Sequence, residues 1–277
     1  MLEEASAIFD YLPIEAGSEK LYIQHLWEAF TAITGKGEPA KSFAIMPFHL
    51  LFMLAAQYKV YKLSDSHKTK YLNKISNKIV YRETNIKVLQ DNIFSSSSQS
   101  SVKNLSLIKE KNLFDFFEII NLDKKVIEDA KELIDNRSKY AHANCNMEDE
   151  IDEKIDSYLK VLNSIQLKFK NINNSSQNWA KELQEECGSE DGAINEFFEQ
   201  RFLQSQFSPR DFGDIIQNLL IASSAEQLKW ISSKGLDDFY CNNLETINGL
   251  KYIAKNDTIS RKRLIATEIL SKNNGEF

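Results

Sequence analysis

The chain has 277 residues, 42% of them hydrophobic, with only four prolines and nine glycines. That supplies one large or two modest helical cores and argues against many short strands. A net charge of -6 and a pI of about 5.4 exclude a generic polyanion binder, so any contact with nucleic acid has to come from a local basic patch.

Met1-Leu2-Glu3-Glu4 is acidic where a secretory leader would be basic, so no such leader is expected. Residues 18 to 33 carry Leu21, Ile23, Leu26, Trp27, Phe30 and Ile33 at three- and four-residue steps, which predicts a helix burying one face. Gly35 to Pro39 reads as a loop. The most apolar run, Phe43 to Ala56, contains Pro47 and His49 and is too short to span a bilayer. It is expected as a buried core helix running to Lys62, with Pro47 near its start, where a missing N–H is tolerated. The protein is therefore expected to be soluble and cytoplasmic, with no membrane contact. His49 and His25 are expected as satisfied core histidines.

A third helix is predicted over residues 66 to 90, with Leu72, Ile75, Ile79 and Ile86 as its apolar stripe. Lys70, Lys74, Lys78 and Arg82 recur every fourth residue along a second face, with no acidic residue between Asp65 and Glu83. Like charges at that spacing repel by a few tenths of a kcal/mol per pair, which a polyanion would relieve. The row is expected to guide RNA; a solvated surface helix would carry the same residues. Phe94 to Ser101, with six serines, reads as a flexible loop. Leu113 to Ile120 predicts a short apolar helix. Asp123 then caps a helix whose buried face is Val126, Ile127, Ala130, Leu133 and Ile134.

That helix leads into Asp135-Asn136-Arg137-Ser138-Lys139-Tyr140-Ala141-His142-Ala143-Asn144, which carries the most telling chemistry of the chain. An arginine that stays charged and an imidazole that titrates near neutrality can together act on a phosphodiester. One steadies the pentavalent phosphate and the other moves protons. On a straight helix, five residues leave Arg137 and His142 about 140° apart, whereas Ser138 and His142 share a face. One copy is a thin site; two copies across a symmetric dimer would put two arginines and two histidines in one cleft. An arginine and a histidine near a helix C-terminus also suit the helix dipole with no chemistry at all.

Beyond the motif, Glu148 to Glu153 reads as a solvated turn and helix start rather than a magnesium site. A helix follows with the stripe Ile151, Ile155, Tyr158, Leu159, Leu162 and Ile165. Asn171 to Asn178 reads as a linker. The remainder is again helical, with segments at Trp179 to Glu186, Ile194 to Phe207, Asp211 to Ile221 and Ala225 to Ser232, and two more toward Leu270. Ser208-Pro209 opens one of them. The chain is expected to be all-α, with a helical bundle over residues 1–172 and a C-terminal helical domain of unknown role over 173–277.

Other chemistries are less well served. The four histidines are scattered without HExxH or paired spacing, and no glycine loop would cradle a phosphate, so neither metal nor cofactor is expected. Cys145, Cys187 and Cys241 are far apart with no CxxC pair, which predicts reduced thiols. Cys145 could act as a thiolate beside His142, but a helix end offers poor support for a third orienting group. Tyr71, Tyr81 and Tyr140 stand beside lysine or arginine and are the stacking candidates for single-stranded RNA.

The segment Arg137-Ser138-Lys139-Tyr140-Ala141-His142 resembles the signature of the HEPN superfamily: arginine, a polar follower, and histidine after four to six intervening positions. Arg137 matches the arginine, Ser138 the polar follower and His142 the histidine, with Ala141 before it as in many members. The resemblance covers about residues 18 to 170. It implies an HEPN-like helical bundle and a metal-independent endoribonuclease, needing no cofactor, that works as a homodimer and acts as a toxin or anti-phage defence effector. It also implies RNA (tRNA or mRNA) as substrate and an antitoxin or defence-system protein as partner. Arg137 and His142 would be catalytic, Ser138 and Asn144 auxiliary, and Lys70, Lys74, Lys78, Arg82 and Tyr140 RNA-binding. One branch of the family carries a tyrosine two residues after the histidine as a nucleotidylation target; here that position is Asn144. The rival expectation is a non-catalytic helical interaction or regulatory protein in a defence or toxin–antitoxin complex.

Overall fold

A computed structural model describes residues 2–13, 19–36, 40–74, 105, 108–141, 151–169 and 208–234, with helical positions at 251, 254–255, 263–264 and 266–267. Among the described residues the fold is all-α, with no strand. The chain divides into two compact units, Met1–Ile172 and Asn173–Phe277.

In the first unit α1 (Leu2–Ser6) runs into a 3₁₀ segment, Ala7–Tyr11. Helix α2 spans Lys20–Thr34 and, after a 3₁₀ turn at Ala40–Ala44, α3 spans Ile45–Ser66. A short α4 covers Lys68–Lys74 and α5 covers Glu110–Leu113, which tightens into 3₁₀ over Phe114–Ile120. Helix α6 is Lys124–Ala141 and α7 is Ile151–Phe169. In the second unit α8 is Pro209–Ala222 and α9 is Ala225–Lys234.

Helix α3 is the axle of the first unit. Phe48, Leu51, Phe52, Ala55, Ala56, Val60 and Leu63 are all buried, so apolar residues lie around its whole circumference rather than on one stripe. The stretch Lys41–Leu63 has the length and apolarity of a membrane span, yet most of it is inside this core. Neighbouring helices supply the aromatic layer around it. Phe52 meets Tyr158 at 4.7 Å and Phe114 at 5.5 Å between ring centroids, while Phe30 meets Phe48 at 5.3 Å. Each such ring contributes about 1.5–3 kcal/mol on burial.

The local signals act as expected at the helix starts. The Asp123 side chain accepts the Lys125 backbone N–H at 2.8 Å and opens α6. Ser208 and Asp211 form a reciprocal capping box, with Pro209 in the first turn of α8. The 3₁₀ segment ends at Asn121, whose φ of 55° is left-handed, a conformation asparagine tolerates better than most residues. The buried stripe of α7 is Ile151, Ile155, Tyr158, Val161, Leu162 and Ile165.

Elsewhere the structure corrects the sequence reading. Leu21 is 59% exposed and His25 is exposed, because the buried stripe of α2 is Ile23, Leu26 and Phe30. A residue two positions from Ile23 is rotated about 200° and faces away. Helix α3 runs to Ser66 rather than Lys62, and His67 interrupts the chain before α4 with φ -134° and ψ 41°. The predicted third helix is therefore seen only as Lys68–Lys74, and positions 75–90 lie outside the described residues. Tyr71 is fully buried, 5.0 Å from Phe116, so it offers no face to a nucleobase.

Candidate functional site

Arg137 lies on the same stripe of α6 as the buried residues Ile127, Ala130 and Ile134, continuing their three- and four-residue steps. That stripe faces the core, so a guanidinium there needs a counter-charge. Glu110, the first residue of α5, supplies it: Arg137 Nη2 donates to Glu110 Oε1 at 2.6 Å. The other carboxylate oxygen, Oε2, stands 3.4 Å from His49 Nε2. His49, fully buried on α3, has its second ring nitrogen, Nδ1, 3.0 Å from the Tyr158 hydroxyl of α7. Four elements thus meet in one chain of polar contacts running from Arg137 through Glu110 and His49 to Tyr158.

The proton positions follow from what each group can do. A carboxylate only accepts, so the proton of a neutral His49 belongs on Nε2, toward Glu110. Nδ1 is then the acceptor, and the Tyr158 O–H donates to it rather than across the longer 3.4 Å to the Leu133 carbonyl. Burial holds the His49 pKa below its ordinary value, outweighing the opposing pull of Glu110. Glu110 is also held below the ordinary carboxylate range, first by the hydrogen bond from His49, which together with lesser contributions from the charges of His49 and Arg137 outweighs the opposing effect of burial. The result is a neutral imidazole, a charged carboxylate and a charged guanidinium. Arg137 keeps a 21% exposed side chain, and its Nε is buried without an acceptor.

Helix α6 continues through Ser138, Lys139 and Tyr140 to Ala141. His142 and Asn144, the predicted catalytic and auxiliary partners of Arg137, lie outside the described residues, as do Lys78 and Arg82. Lys70 is exposed on α4, and Lys74 is ion-paired with Glu118. A carboxylate more than forty positions away thus relieves the like-charge row at Lys74, where the local sequence has none. His49 fits its expected place as a satisfied core histidine, and it also links the core to the motif helix.

Glu110 was not legible as a site residue. Its partners lie 27 positions later and 61 positions earlier, so no local spacing announces them. A signal was nonetheless present: an arginine on the buried stripe of an amphipathic helix requires an acid from another element.

Glu110 also lines a pocket of about 520 Å³ between α2, α3 and the segment around Leu105–Leu113. Its walls are largely apolar, with Leu50, Met53, Leu54, Leu105, Ile108 and Leu113, and its polar groups are Glu19, Tyr22, Gln57 and Glu110. A second cleft, of about 350 Å³, runs between α6 and α7 past Leu133 and Asn136. Among the described residues no three potential metal-binding side chains cluster together. No protein-family model, curated protein or solved structure matches this chain.

Proposed function

We propose that this chain is an HEPN-like, metal-independent endoribonuclease of the cytoplasm, with Arg137 and His142 as its catalytic pair at a composite homodimer site. The observation that carries this reading is the Glu110–Arg137 ion pair at 2.6 Å. It keeps the motif arginine charged, aimed and partly exposed at the end of a packed helix, which is the preorganisation that phosphate stabilisation requires. In the reaction His142 accepts the proton of a ribose 2′-hydroxyl as that oxygen bonds to the adjacent phosphorus. The bond from phosphorus to the 5′-oxygen breaks and that oxygen is protonated, leaving a 2′,3′-cyclic phosphate and a 5′-hydroxyl. Arg137 stabilises charge on the non-bridging oxygens, and Ser138 and Asn144 orient the reacting groups. Lys70, Lys74, Lys78 and Arg82, with Tyr140, lead RNA toward the site, in a toxin or anti-phage effector held in check by a protein partner.

The same ion pair supports a second reading. Because Glu110 already balances Arg137, the arginine has a structural role without any chemistry, as in a non-catalytic helical protein of a defence or toxin–antitoxin complex. Cleavage of total RNA in EDTA by wild type, Arg137→Ala and His142→Ala separates the two. Cleavage by wild type alone, with cyclic phosphate ends, is the expected result. Equal activity in all three proteins, or none in any, transfers the assignment to the non-catalytic reading.

A further inference from the structure

The pocket between α2, α3 and the Leu105–Leu113 segment has an unusual charge pattern. Its walls are apolar, and among the described residues its only ionisable groups besides the Tyr22 phenol are two carboxylates, Glu19 and Glu110. Those two acids differ in how they are balanced. Glu110 receives Arg137 and His49. Glu19 is 6% exposed, and among the described residues no lysine, arginine or histidine pairs with it. It stands at the start of α2 but makes no side-chain cap bond to that helix. Its Oε2 accepts one long hydrogen bond, 3.4 Å, from the Tyr58 hydroxyl, and its Oε1 is buried with no partner among the described residues. A buried carboxylate without a counter-charge is costly, and native folds usually supply the missing partner.

We infer that this pocket binds a small organic cation, a primary ammonium carried on an apolar body, with Glu19 as its counter-ion. The ammonium donates to the Glu19 carboxylate, and the hydrocarbon part lies against Leu50, Met53, Leu54 and Leu105. Tyr22, 45% exposed at the rim, offers an aromatic face to the cation or its body. A phosphate or carboxylate ligand would meet two acids and, among the described residues, no base, and a neutral ligand would leave Glu19 unbalanced. The site is independent of the ribonuclease reading and requires nothing of Arg137 or His142.

The test uses the full chain and three probes of nearly the same shape: 2-phenylethylamine, 2-phenylethanol and phenylacetate. Calorimetric titration should give saturable binding of the amine, about tenfold or more tighter than the alcohol, as a charge-assisted contact provides. Phenylacetate should show none. Glu19→Gln should erase the preference for the amine over the alcohol. Leu50→Trp fills the pocket without touching the carboxylate and should remove binding of both. Equal binding of amine and alcohol by wild type overturns the proposal, as does amine binding that survives Leu50→Trp. If Glu19→Gln does not fold, the probe comparison and Leu50→Trp still decide.

Discussion

Glu110 and Glu19 line one pocket, yet they sit in opposite electrostatic circumstances. Glu110 is the partly exposed centre of a network: a guanidinium takes one oxygen, an imidazole N–H the other, and a tyrosine hydroxyl completes the chain behind the imidazole. Glu19 is the more deeply buried of the two, and its one protein partner is the distant Tyr58 hydroxyl, whose pKa rises through burial and the neighbouring carboxylate. Among the described residues, burial of a charge is therefore compensated at one end of the pocket and not at the other. A compensated acid ties elements of the fold together, and an uncompensated one is open to a cationic ligand.

This contrast can be broken by substitution, and Glu110→Ala should have the largest effect. It strips counter-charge from Arg137 and the acceptor from a fully buried His49, and should cost about 2–3 kcal/mol in urea unfolding, discounted for the part of Glu110 that faces water. A loss under about 0.5 kcal/mol would show that the network contributes little. Tyr158→Phe leaves the ring packing in place and removes only the donor to His49, so a smaller loss of about 1–1.5 kcal/mol is expected by the same method. At the other end the sign reverses. Glu19→Gln removes an unbalanced charge and should leave the ligand-free protein unchanged or up to about 1 kcal/mol more stable. Clear destabilisation would mean that Glu19 is already balanced by the fold.

Acidity sharpens the same comparison. His49 is held below its ordinary value of 6.5, so the unfolded chain binds that proton first. Stability should be complete above about 6.5 and fall as pH drops from there toward the lower folded value, by at most about 1.4 kcal/mol per pH unit for one proton. Glu110, held below 4.5, adds a second loss of the same sign at more acid pH, as pH falls through its folded value. Urea titrations of His49→Gln from pH 7.5 to 5 should diverge in slope from those of wild type. Parallel curves would show that His49 does not resist protonation in the fold.

The helices were legible where a single face was buried. Ile151, Ile155, Tyr158, Leu162 and Ile165 recur at helical steps, and all are buried on α7. Asp123 and Ser208 announced helix starts through short-range side-chain bonds, which act over two or three residues and so leave a local trace. Tyr71 and His25 were misread for a common reason: sequence neighbours do not share a face. Tyr71 follows Lys70 but turns inward to Phe116, and His25 stands between Gln24 and Leu26 but points to solvent.

By itself, then, the chain determined its all-α class, the apolar stripes and the helix starts, because those depend on periodicity and on contacts a few residues apart. It also presented Arg137 and His142 five positions apart. Only tertiary structure decided that Arg137 is paired with Glu110, that His49 stands behind that pair, and that Glu19 has no cation beside it among the described residues. Those outcomes rest on side chains dozens of positions apart, brought together by the packing of α2, α5, α6 and α7 around α3. Ion pairing depends on distance in space and on exclusion of water, and neither is written in the spacing of residues along the chain.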